Sequence, residues 1–95
     1  MRPGSRLDIH GLQVRKVTHY QRLVHGEEER TIWRYAMRRE RDGERFVYSG
    51  KFLGFRVGDV VSVRGTIKSE RDKFGFIRLA RVRKIEPTNQ EEFNL

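Results

Sequence analysis

The 95-residue chain has no cysteine, only two prolines and a single tryptophan. The absence of cysteine excludes a disulfide scaffold, a thiolate zinc site and a cysteine nucleophile. No apolar run approaches the ~20 residues of a membrane span, and residues 1–10 lack the apolar core of a signal peptide. We therefore expect a soluble cytoplasmic protein without a membrane partner. A nucleoid-associated or intracellular viral protein fits the same observations.

Acidic side chains are also in deficit, with 13 Asp and Glu against 21 Lys and Arg and a formal net charge of +8. The acidic end of the chain, with Glu86, Glu91 and Glu92, contains no Lys or Arg, so the preceding part is more basic than the whole. Arginine dominates the basic residues, and its planar guanidinium both grips phosphate and stacks on bases. This charge predicts a polyanionic partner. A merely solubilising surface is the alternative.

Apolar residues follow a period of two rather than 3.6, which predicts strands. We expect five, at about residues 7–20, 31–39, 45–49, 59–68 and 76–85. The apolar phase slips after Gly11 and again near Ala80 and Arg81, which predicts a bulge or bend at each place. Bent first and last strands are typical of a small closed barrel.

The connections between strands carry their own signals. Asp42-Gly43 predicts a hairpin between the second and third strands, because glycine readily adopts positive φ. Residues 50–58 are too short and too rich in glycine for a substantial helix. Within them, Phe52, Leu53 and Phe55 are expected to plug one end of the barrel.

Alternation assigns the faces of two strands. In the second strand Trp33, Tyr35 and Met37 share one parity, whereas Arg34 and Arg38 share the other. Because arginines cannot be buried without partners, we expect the Trp33 side to face the core and the arginine side to face solvent. In the fourth strand the apolar set is predicted to point inward and the polar set outward: Val61, Val63 and Ile67 against Ser62, Arg64 and Thr66.

The order of long bent strand, hairpin, short connector, strand, loop and strand resembles the OB-fold. Residues 57–68, VGDVVSVRGTIK, look like its fourth strand, with Gly58-Asp59 at the opening turn and Gly65 at a bend. Residues 76–86, FIRLARVRKIE, are similar to the last strand of OB domains in replication and single-strand-binding proteins. The resemblance covers residues 7–86, between a flexible N-terminus at 1–6 and an acidic tail at 87–95.

The predicted fold is thus all-β, a small five-stranded OB-type Greek-key barrel whose helix between strands three and four is reduced or absent. That reduction leaves an SH3-like barrel as the alternative. The resemblance implies binding on the face of strands two and three, where Arg34, Arg38, Phe46 and Tyr48 would form a platform. Core packing is the competing role for Phe46 and Tyr48.

Further basic and aromatic residues extend the candidate nucleic-acid interface. The turn after the fourth strand and the last strand are rich in them, and barrel closure would bring the first strand nearby. A solvated turn or a charged edge that prevents strand pairing is the alternative. Beyond the platform, the candidates are Arg15, Lys16, Lys51, Arg64, Lys68, Arg71, Lys73, Phe74, Arg78 and Arg81.

The tail carries Glu91, Glu92 and Phe93, and it is similar in character to the acidic-hydrophobic ends with which several single-strand-binding proteins recruit partners. An inert end is the alternative. The histidines His10, His19 and His25 lack ligand spacing, and no nucleophile or phosphate-loop motif occurs. We therefore expect no metal, no cofactor and no catalysis.

The predicted function is binding of single-stranded nucleic acid, DNA before RNA, with low sequence specificity. The alternatives are a protein-interaction OB module in a replication or other nucleoprotein complex, and a small nuclease.

Overall fold

The computed structural model describes residues 2–24, 26 and 28–87. Within these residues the chain forms five strands and no helix. The strands are β1 (Arg6–Val24), β2 (Glu28–Arg39), β3 (Arg45–Gly50), β4 (Val60–Ser69) and β5 (Phe76–Ile85). The predicted all-β class and the five strand positions are confirmed.

The strands close into a barrel in the order β1-β2-β3-β5-β4. All neighbouring pairs are antiparallel except β3 and β5, which are parallel. Closure is possible because β1 pairs with β4 through its first half and with β2 through its second half. This is the predicted small OB-type barrel, and the connector between β3 and β4 contains no helix.

The bend in β1 lies where the apolar phase slips. Gly11 has a φ of +67°, and the register with β4 shifts between Ile9 and Leu12. A side chain is strained at such a φ, which explains why glycine stands at this bulge. A second shift, between Val14 and Lys16, occurs against β2. The two shifts let one strand curve through both halves of the barrel.

The other predicted bulge is in β5, opposite Gly65. The register with β4 shifts between Arg64 and Thr66, so two residues of β5, Arg81 and Val82, face a single residue of β4. Arg81 has a φ of +53° and is the one non-glycine residue with positive φ in the described part of the chain. Val82 is buried, and Arg81 is exposed.

The core combines inward residues of all five strands, including Ile9, Tyr35, Val63 and Leu79. Of the predicted plug, Phe55 is buried and Leu53 packs against the core. The backbone N–H of Leu53 donates a hydrogen bond to the Tyr35 hydroxyl at 2.9 Å, which fixes the connector over the barrel end. Phe52 does not belong to the plug: it is largely exposed, with its ring 4.7 Å from that of Trp33.

The predicted faces of β2 are confirmed, because Tyr35 and Met37 are buried while Arg34 and Arg38 are exposed. In β4 the inward position of Val61, Val63 and Ile67 is also confirmed. Ser62 was expected to face solvent, and this is wrong: it is 4% exposed. Its hydroxyl lies 2.9 Å from Nδ1 of His10, which covers it from the bulged part of β1.

The hairpin of β1 and β2 is longer than predicted. β1 runs on to Val24 and β2 begins at Glu28, so the connection between them is short. Because the pairing of β2 with β3 starts at Trp33, residues 20–24 and 28–32 pair only with each other. They form a two-stranded arm. Polar cross-strand pairs such as Gln21 and Thr31, whose side chains hydrogen-bond at 3.0 Å, hold it without a core.

Candidate nucleic-acid interface

The outward side of β2 is the centre of the candidate interface. Arg34 and Arg38 alternate with the buried Tyr35 and Met37, so the pleat directs both arginines away from the core. In the sheet, Arg34 lies between Thr18 of β1 and Ser49 of β3. The three strands therefore present one continuous polar surface around Arg34.

A groove crosses this surface in three adjoining sections. The first, of about 290 Å³, lies between β3 and the β4–β5 loop and includes Arg34, Val47 and Ser49 in its walls. The second and third continue across β2 to β1, and they share Lys16, Ala36 and Phe76. We call this surface the groove. Its basic side chains are Arg15, Lys16, Arg34, Arg38, Arg45, Lys68, Lys73 and Arg78.

The one carboxylate that lines the described sections of the groove belongs to Asp72. Its Oδ1 accepts hydrogen bonds from the backbone N–H groups of Phe74, at 2.9 Å, and Phe76, at 3.0 Å. The bond from Phe76 is the main cause that holds the pKa of Asp72 below its usual range, with further contributions from Phe74, Arg34 and Arg78. Asp72 thus shapes the loop, and its charge is already engaged by backbone donors.

Two phenylalanines carry the aromatic surface of the groove: Phe74 in the same loop and Phe76 at the start of β5. The Phe74 side chain is 64% exposed, and Nζ of Lys73 lies 5.1 Å from the centre of its ring. The Phe76 ring is half-buried, and the Arg45 guanidinium carbon lies 4.8 Å from its centre. Each ring therefore stands beside a cation, the combination that contacts a base and its phosphate together.

Most of the predicted basic residues meet in the groove. Residues far apart in the chain are brought together because β5 lies beside β3 and the β4–β5 loop folds over the same side. The predicted residues that line the groove are Arg15, Lys16, Arg34, Arg38, Lys68, Lys73, Phe74 and Arg78.

The predicted stacking role of Phe46 and Tyr48 is wrong. Phe46 is 0% exposed and Tyr48 is 6% exposed, and both belong to the core. Three consecutive residues of β3 are buried, because Val47, which lines the groove between Phe46 and Tyr48, is also only 4% exposed. Because β3 is buried on both faces, its sequence does not alternate between apolar and polar residues, and alternation could not assign Phe46 and Tyr48 to the core.

Two predicted arginines are held by carboxylates outside the groove. Arg71 donates to both carboxylate oxygens of Glu44 in an ion pair on another side of the loop. Arg64 donates to Asp8 at 2.6 and 3.1 Å, across the β1–β4 pair. Neither arginine lines the groove, and the predicted part of each in nucleic-acid binding stays a prediction.

Lys51 and Arg81 are exposed but do not line the groove either. Lys51 follows β3 in the connector, whereas Arg81 is at the β5 bulge beside β4. The predicted tail residues Glu91, Glu92 and Phe93 lie outside the described residues.

Sequence reasoning missed Arg45 and Phe76, which are neighbours on the parallel β3–β5 pair. Both have a signal in the sequence: Arg45 is opposite Arg38 in a hairpin of known register, and Phe76 shares parity with Arg78. Their proximity has no such signal, since it depends on the parallel pairing of distant strands.

No cluster of three potential metal ligands occurs among residues 2–24, 26 and 28–87. His10 is hydrogen-bonded to Ser62, and the His19 ring lies 4.8 Å from that of Trp33. His25 is outside the described part of the chain. In that part, no helix is long and apolar enough to span a membrane.

Comparisons with family models, with curated proteins and with solved structures found no match to this chain.

Proposed function

We propose that this protein binds single-stranded nucleic acid in the groove, without catalysis and with low sequence preference. The observation that carries the proposal is the continuous groove across β1, β2, β3 and β5, lined by eight basic side chains and by Phe74 and Phe76. If the groove binds no oligonucleotide, the alternative function is that of a protein-interaction module in a nucleoprotein complex.

Electrostatics supports a polyanion as the ligand. The basic side chains of the groove face one carboxylate, Asp72, whose oxygen is occupied by two backbone donors. Arg34 and Arg78 both stand near this carboxylate and still leave the groove with a large positive excess. Binding a phosphate chain there would release condensed counterions, which is the main driving force for such complexes.

The aromatic side chains favour a single strand over a duplex. Phe74 offers an exposed ring at the mouth of the groove, and only an unpaired base can present its face to that ring. Stacking depends little on the identity of the base, so it supports low sequence preference. We place DNA before RNA on the resemblance to replication-associated OB domains alone.

The test is a competition panel of single-stranded DNA, duplex DNA and single-stranded RNA at two salt concentrations, with labelled strands inspected for cleavage. We expect single-stranded DNA to compete best, intact strands throughout, and a log–log salt slope of about −0.7 for each phosphate contacted. A salt-independent affinity, or preference for the duplex, would contradict the proposal.

A matched pair of variants ties the result to the groove. Arg34→Ala with Arg78→Ala removes two groove cations, whereas Lys51→Ala with Arg56→Ala removes the same charge from exposed positions in the β3–β4 connector. Only the first pair is expected to weaken binding strongly. Equal losses would mean that net charge, rather than the groove, drives association.

A further inference from the structure

A second basic surface lies on the other side of the barrel, where β4 is flanked by β1 and β5. In the sheet, Arg64 stands between Asp8 and Arg83, so one carboxylate and two guanidinium groups lie side by side. Arg6 and Arg81 follow next to this row. We call Arg6, Asp8, Arg64, Arg81 and Arg83 the far face.

The charge of the far face is only partly compensated. Asp8 is engaged by Arg64, and this contact is the main cause that lowers the pKa of Asp8. Arg6 instead donates to two neutral oxygens, the Thr66 hydroxyl and the Arg81 carbonyl, each at 3.0 Å. The guanidinium of Arg6 is therefore held in place while its charge stays available.

Arg81 occupies its position at a conformational cost. Its φ of +53° lies in the left-handed region, which glycine adopts freely and other residues rarely do. Bulges of this kind commonly have glycine at that position. An exposed arginine held in a strained conformation suggests that its side chain has a use outside the fold.

We infer that the far face is a second phosphate-binding surface, so that one copy of the protein holds two segments of nucleic acid. The inference rests on the proposed function, which supplies the ligand class. The groove is centred on β2 and β3 and the far face on β4, which pairs with neither of them. Both surfaces extend onto β1 and β5, but no residue belongs to both.

The chemistry of the far face predicts how it differs from the groove. It contains guanidinium groups but no Phe, Tyr or Trp, so it offers phosphate contacts without the aromatic rings that the groove presents to bases. Binding there is weaker than in the groove, tolerates single and double strands alike, and depends on salt in proportion to the phosphates contacted.

The experiment uses the full chain and oligothymidylate of about 8 nucleotides, within the usual site size of one OB domain. Native mass spectrometry gives the number of oligonucleotides bound per copy. A capture assay then asks whether protein loaded on an immobilised oligonucleotide retains a second, labelled one. We expect two oligonucleotides per copy and capture of the second strand.

Arg81→Gly with Arg83→Gln is the test variant. Glycine relieves the strained backbone at position 81, so this substitution should not lower the melting temperature. A loss of binding in a variant that melts like the wild type is then not caused by unfolding. We expect capture of the second strand to drop by at least about tenfold while groove affinity changes less than about twofold. Lys51→Ala with Arg56→Ala serves as the charge-matched control and should retain capture.

The outcomes separate this inference from the proposed function. A single bound oligonucleotide in the wild type, or full capture by the far-face variant, overturns the second surface while leaving the groove in place. Conversely, wild-type affinity in Arg34→Ala with Arg78→Ala, together with loss of binding in the far-face variant, supports the far face and overturns the groove.

Discussion

The Arg45 guanidinium links two segments that are remote in sequence: its Nη2 donates a hydrogen bond of 2.8 Å to the Phe74 carbonyl. The same group lies against the Phe76 ring. Together with the backbone bonds that Asp72 accepts, this contact holds the β4–β5 loop on β3. The aromatic wall of the groove is thus positioned before any ligand arrives.

Replacing Phe74 tests the stacking wall directly. Phe74→Ala should weaken oligonucleotide binding by about 1–3 kcal/mol, the range found for one stacked base, and should leave the melting temperature close to that of the wild type because the ring is exposed. Fluorescence anisotropy with labelled oligonucleotides measures the loss. Phe52→Ala, at another exposed ring outside the groove, is the matched control and should bind normally.

Arg34→Ala with Arg38→Ala tests the outward face of β2. Both side chains are exposed, so we expect affinity to fall by about tenfold or more, with the salt slope reduced by about 1.4 if each contacts one phosphate. Thermal unfolding should change little. A destabilisation as large as that of a core truncation would show that these arginines support the fold instead.

Replacing Phe46 should affect the stability of the fold rather than oligonucleotide binding. Because its ring is fully buried among core residues, Phe46→Ala should lower the free energy of unfolding by about 3–5 kcal/mol. Urea denaturation measures the change, and Phe46→Leu should recover much of it by refilling the space. If Phe46→Ala kept normal stability but lost oligonucleotide binding, the stacking role rejected above would have to be restored.

The β2–β3 turn makes a prediction for acid stability. Arg39 donates to both carboxylate oxygens of Asp42, and with the backbone N–H of Glu44 this lowers the pKa of Asp42 from 3.8 to about 2. Because the folded pKa is depressed, the ionised carboxylate stabilises the protein above pH 3.8. That contribution is lost as the pH falls from 3.8 through about 2.

Asp42→Asn keeps a turn-forming residue but removes this charge. The variant should be less stable than the wild type at neutral pH, and the difference should shrink below pH 3.8 and vanish once the pH is below about 2. Urea titrations across that range would reveal it, and added salt should reduce it because the pair is exposed. A difference that persists unchanged in acid would assign the effect to the turn geometry alone.

The architecture could be predicted from local patterns because each signal depended on neighbouring residues. Gly11 broke the apolar phase, Asp42-Gly43 specified a hairpin, and Val61, Val63 and Ile67 kept strict alternation. The core positions of Phe46 and Tyr48 could not be predicted in this way, because Val47 between them is buried as well. Alternation assigns a face only where the opposite face meets solvent.

Only some of the groove residues could be predicted from the sequence, for a related reason. Arg34 and Arg38 could be assigned from their own strand, but Arg64 and Arg71 carry the same charge and differ only in having Asp8 and Glu44 as partners. Those carboxylates come from remote segments. The sequence therefore gives the number of basic residues, but the barrel topology decides which of them line the groove, which lie on the far face and which pair with a carboxylate.

The double use of β1 has a kinetic consequence. Its second half joins β2 in a local hairpin, but its first half reaches β4, where Arg6 pairs with Thr66, and the parallel β3–β5 ladder also joins remote segments. Such long loops must close before their contacts form, so folding should take milliseconds to seconds and the last seam to form should lie between β1 and β4. Residues 6–10 therefore close the barrel by pairing with β4. A variant truncated to begin after Gly11 would leave that edge of β4 unpaired, and the exposed edge would tend to pair with other copies of the protein.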